Sequence, residues 1–208
     1  MRYLSARQMI FDAYRATGNS VMAGAIEQAK LGADVQRSRR RGNDWSIVHG
    51  LEAGAVISAV ESQPAHLQAL ARYCFGPFTR DELAADAEAV QLALYRQLLE
   101  DGVRLPGQGR GKPTAKQLET LRYLCVAALF HHGETTWPYQ RQGLPTPKAV
   151  QCWLSDECGA VIDVRFWSRK DRACWAQYWN SALGHLDVWE SETLGIVAHT
   201  SQRVACAS

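Results

Sequence analysis

A chain of 208 residues with 47% hydrophobic and 21% charged side chains can bury a core, which excludes wholesale disorder and fits one large domain or two small ones. Its net charge of +2 excludes a uniform polycation, and the absence of any run of about 18 apolar residues excludes a membrane-spanning helix. Charges interrupt Met1–Arg15, so no secretory leader is predicted, and six cysteines without a CxxC pair predict buried thiols in a reducing cytoplasm rather than disulfides.

Helix signals follow one another along the chain. Ser5, with Gln8 three residues on, opens a helix predicted over Ala6–Thr17, and Ser20 caps a second that reaches about Leu31. Gly32–Asn43 reads as a charged connector containing Arg37, Arg39, Arg40 and Arg41. Four arginines in five positions can neutralise several phosphates whatever the base sequence, and a solvated loop of the same composition is the alternative. Asp44 caps a helix from Trp45 to about Ser62, Pro64 breaks it, and a short helix is predicted over Ala65–Tyr73. Thr79 and Glu82 form a capping box ahead of an apolar face made by Leu83, Ala87, Val90, Leu94 and Leu98.

The charge is unevenly distributed. Residues 51–103 carry three basic and eight acidic side chains, whereas 104–116 carry Arg104, Arg110, Lys112 and Lys116 and no acid. Glycines and prolines punctuate 104–113, which therefore reads as a basic linker between a helical domain at 1–103 and a second at 114–208. The stretch does not match a phosphate-binding GxxxxGK[ST] loop, because Pro106 and Pro113 occupy the positions of the first glycine and the hydroxyl residue.

Thr114 and Gln117 open a helix that is apolar almost all round from Tyr123 to Phe130 and is therefore central. Gly133–Pro145 reads as a loop. Thr146 and Pro147 supply a cap and a first-turn proline for Lys148–Cys158, Gly159 turns the chain, and a long helix is predicted from Asp163 to Leu183, with a weakly patterned tail beyond Gly195. The unit 146–183 has helix-turn-helix proportions. On the predicted second helix, Arg165, Arg169 and Arg172 share one face, with Lys148 on the helix before. Trp167, Cys174 and Tyr178 fall on the other face and pack inward. Arginines opposed to an apolar anchor suit contact with phosphates or guanine edges; an ordinary amphipathic hairpin is the plainer alternative.

His131, His132 and Glu134, with Cys125, Cys152 and Cys158, offer ligand chemistry without zinc-ligand spacing, so no metal or other cofactor is predicted. No GxSxG, HExxH or paired-carboxylate pattern points to an enzyme. Six of the seven tryptophans lie from Trp137 onward, where those not needed for the core could serve a protein-docking patch.

The stretches Lys112–Leu118 (KPTAKQL), Pro147–Leu154 (PKAVQCWL) and Arg165–Arg172 (RFWSRKDR) give the C-terminal half a resemblance to bacteriophage late-gene antiterminators of the Q type and similar prophage regulators. The paired CxxC of some members is absent. The resemblance implies an all-α DNA-binding transcription regulator that contacts promoter-proximal DNA and bacterial RNA polymerase, with Arg165, Arg169 and Arg172 as the residues that carry over. The alternative function is a helical protein-interaction factor, such as a phage-encoded inhibitor of a host complex, without DNA contact.

Overall fold

A computed structural model describes residues 5–16, 43–102, 104–108, 111–136, 140–141, 143–168 and 173–207. The all-α expectation holds. Among the described residues there are seven α-helices, which together take up more than half of the chain. They are α1 (Ala6–Ala16), α2 (Asn43–Glu61), α3 (Ala65–Phe75), α4 (Ala84–Glu100), α5 (Ala115–Gly133), α6 (Pro147–Cys158) and α7 (Trp175–Ala207). A 3-10 turn covers Val164–Phe166, and β1 (Thr135–Thr136) pairs antiparallel with β2 (Gln140–Arg141), Thr135 opposite Arg141. No described helix is long and apolar enough to cross a membrane.

The contacts divide the chain into two units, one formed by Met1–Ala87 with Trp189–Ser208 and the other by Glu88–Val188. The segment 104–113, predicted to link two domains, falls inside the second unit.

In the first unit, α1 presents Met9, Ile10, Ala13 and Tyr14 at helical spacing to Ala53, Val56 and Val60 of α2, Ala71 of α3 and Val197 of α7. Ser5 Oγ accepts the Gln8 N–H at 3.3 Å, and Pro64 separates α2 from α3. Two ion pairs clamp the rim of this core: Arg7 with Glu190, and Arg72 with Asp86. Arg72 engages Asp86 through both Nε and Nη2, a forked geometry that fixes orientation as well as charge. The Thr79–Glu82 box forms, with the Thr79 N–H donating to Glu82 Oε2 at 2.7 Å, and regular helix follows from Ala84. The predicted helix from Ser20 to Leu31 and the arginine connector lie outside the described residues.

The second unit is built around α5, and Leu121, Leu124, Leu129 and Leu154 are fully buried with Leu94 and Leu98 of α4. His131 and His132, at the end of α5, are also buried. His131 Nδ1 accepts the Leu144 N–H at 2.8 Å, and His132 Nδ1 lies 3.7 Å from Asp187. Phe130 stacks on Trp153 of α6 with ring centroids 4.8 Å apart.

The long C-terminal helix departs from its prediction at both ends. It starts at Trp175 rather than Asp163 and runs to Ala207 rather than stopping near Leu183. Asp163 does cap, but it caps a 3-10 turn: its Oδ1 accepts the Arg165 N–H, and the Trp167 N–H donates to the Val164 carbonyl. The Trp167 carbonyl then accepts the Ala176 N–H at 2.8 Å. In one continuous α-helix those two residues would stand roughly 13 Å apart, so no such helix contains both. Beyond Leu183 a buried stripe of Leu186, Trp189, Glu190, Thr193 and Val197 keeps helical spacing. Two of its members are polar, which conceals the pattern in the sequence.

Candidate functional site

Local capping interactions build one wall of a groove in the second unit. Thr114 Oγ1 accepts the Gln117 N–H at 3.3 Å while Gln117 Oε1 accepts the Thr114 N–H at 2.8 Å, a reciprocal box that starts α5. The Gln117 side chain also reaches back, its Nε2 donating to the Pro106 carbonyl at 3.0 Å. Gln108 closes the same loop. Its Oε1 accepts the Leu105 N–H at 2.8 Å, its Nε2 donates to the Gly111 carbonyl at 2.9 Å, and Leu105 is buried. The basic stretch is thus seated against the start of α5 by its own hydrogen bonds, with Arg104, Lys112 and Lys116 exposed on it.

The opposite wall comes from the turn after α6. Gly159 adopts φ 62°, the left-handed conformation that ends a helix at little cost only for glycine, and the Ala160 N–H donates to the Leu154 carbonyl to complete the C-cap. Gln151 of α6 donates to the Ile162 carbonyl at 3.0 Å and pins the strip that follows. Between the walls lies a cavity of about 560 Å³, within the usual range of small-ligand sites, roughly 300–1,000 Å³. Tyr123, Phe166 and Trp175 give it aromatic surface, Lys116 a cation, and Glu119 and Asp163 two carboxylates. Asp163 is already neutralised, because the Arg165 guanidinium meets both of its carboxylate oxygens, at 2.9 to 3.2 Å. Val161 stands 73% exposed beside the cavity.

The predicted site residues fare unequally. Arg165 lies in the 3-10 turn and not on α7. Its side chain is 85% exposed and folded back on Asp163. Lys148 is exposed in the first turn of α6. Arg169, Arg172, Arg37, Arg39, Arg40 and Arg41 lie outside the described residues. Trp167, Cys174 and Tyr178 do pack inward, although only Tyr178 sits on α7.

Sequence reading missed the groove itself. Its one local signal was the acid-free basic run ending in a capping box, since Tyr123, Phe166 and Trp175 meet only in the folded chain. The cysteines are not part of it. Cys125, Cys152, Cys158 and Cys174 are thiols rather than disulfides, and burial pushes the Cys125 thiol up to about 12. No protein-family model, curated protein or solved structure matches the chain.

Proposed function

We propose that the chain is a non-catalytic, DNA-binding transcription regulator that meets nucleic acid through Lys116 at this groove and the basic stretch that leads to it. The observation that carries the reading is Lys116 in the lining of an aromatic-lined cavity, at the end of a stretch, 104–116, that has four basic side chains and no acid in its sequence and whose Arg104, Lys112 and Lys116 are exposed. Lysines and arginines held in register contribute the salt-sensitive, sequence-independent part of nucleic-acid affinity. The positive end of the α5 dipole adds to the field at the same place. The resemblance to phage late-gene antiterminators supplies the accompanying partner, bacterial RNA polymerase, and antitermination as the outcome.

The test is a salt titration of DNA binding with the wild type and the Lys112→Ala, Lys116→Ala double variant, beside thermal melts of both. The slope of log affinity against log salt is expected to fall by about one for each lysine removed, with an unchanged melt. Equal affinity and equal slope in a folded variant would overturn the reading. A second reading is the helical protein-interaction factor without DNA contact, for which Val161, exposed beside the cavity, is the contact to test. Under it, a host protein is retained on the immobilised chain after nuclease treatment and released by Val161→Glu.

A further inference from the structure

We propose that the groove of the second unit holds one unpaired nucleobase of a single strand, its adjoining phosphate resting on Lys116. The inference rests on the nucleic-acid reading above and adds which form of nucleic acid the site selects. Three observations carry it: the aromatic surface, the placement of the cation, and the commitment of the polar groups in between.

The aromatic surface of the cavity comes from Tyr123 and Phe166, both half-buried, with the more deeply buried Trp175. A π-face is of use to a base only when that base has left its stack. In a duplex the faces are covered by neighbouring bases and only the edges are open. A groove with Tyr123, Phe166 and Trp175 beside a lysine in its lining therefore suits an extruded or single-stranded nucleotide, and a double helix would engage the lysines alone. The volume of about 560 Å³ suits a nucleotide-sized ligand.

The polar atoms are disposed accordingly. Gln117 is tied to Thr114 and Pro106, the Thr120 hydroxyl donates to the Lys116 carbonyl at 2.8 Å, and Asp163 is paired with Arg165. Lys116 and Glu119, one turn apart on α5, both line the cavity. A carboxylate would repel a phosphate, yet it is a good acceptor for the amino or imino donors on a base edge. The lysine then faces the backbone of the strand and the glutamate faces the base.

The experiment uses the full chain and three labelled probes of equal length: a single-stranded oligodeoxynucleotide, its duplex, and a backbone of abasic sites. The single strand is expected to bind roughly 5- to 160-fold more tightly than the abasic backbone, the range that stacking of one base provides. Tyr123→Leu keeps an apolar side chain and removes the π-face. It should narrow that preference, the affinity for the single strand falling toward that for the abasic backbone. A strand carrying 2-aminopurine gives a readout on the unaltered protein, since stacking on an aromatic ring quenches its fluorescence. Equal affinity for all three probes without quenching overturns the unpaired-base inference, while a salt-dependent, lysine-dependent affinity leaves the nucleic-acid reading standing. No binding to any probe at low salt overturns both.

Discussion

Asp101 stands one residue beyond α4, where His185 Nε2 lies 2.9 Å from its Oδ2 and the Ser181 hydroxyl donates to the same oxygen at 3.2 Å. The hydrogen bond from His185, helped by that from Ser181, holds the carboxyl below its ordinary value of 3.8, against the opposing effect of burial. A carboxyl whose folded value is lowered stabilises the fold fully above its unfolded value, and the contribution is lost as pH falls through the folded one. Asp101→Asn should therefore melt below the wild type at neutral pH, and the gap should close as pH drops below 3.8. Melts of both proteins across acid pH check this; a gap that persists at the acid end would assign the loss to packing. The cysteines give a second residue-scale expectation. Cys152 is exposed on α6 whereas Cys125 is buried in α5 with its thiol pushed up to about 12. A thiol reagent should label Cys152 in the native protein and reach Cys125 only on unfolding. Mass mapping of the labelled peptides distinguishes the two.

At the scale of elements, two glycines in equally open surroundings have opposite roles. Gly159 sits at φ 62° with open space where a β-carbon would stand, so an added side chain would meet backbone strain and no clash. Gly184 lies inside α7, also in open space and without a positive φ. Gly159→Ala should cost about 1–2 kcal/mol. Gly184→Ala should gain about 0.5–1 kcal/mol by restricting the unfolded chain and favouring helix. Urea denaturation of the two variants checks both signs. Those two glycines also mark what was legible. Gly159 was readable as a stop because the apolar pattern of α6 ends there, with Val150 and Leu154 buried on one face. The helix through Gly184 and Gly195 was not, because Glu190 and Thr193 occupy buried positions in its stripe. Glu190 is accommodated there by Arg7, a partner from the opposite end of the chain.

At the scale of the whole molecule, the chain itself determined whatever depends on residues three or four apart. The helical class, the caps at Ser5, Thr79, Thr114 and Thr146, and the turn at Gly159 all belong to this category. Such interactions close within one turn, so the residues that make them are neighbours in any fold containing the helix. Tertiary structure decided what local chemistry left degenerate. Asp163 can cap an α-helix or a 3-10 turn equally well, and the choice went with burial of Trp167 and Cys174 and with the Trp167 carbonyl reaching Ala176. A linker and a seated loop share the same glycines and prolines, and burial of Leu105 with the hydrogen bond from Gln117 to Pro106 separates them. The groove exists only because Pro106 and the first turns of α5 meet the turn at Gly159, Phe166 and Trp175 within the second unit. Contacts of that range are set by which apolar surfaces exclude water together, and no short window of sequence carries that information.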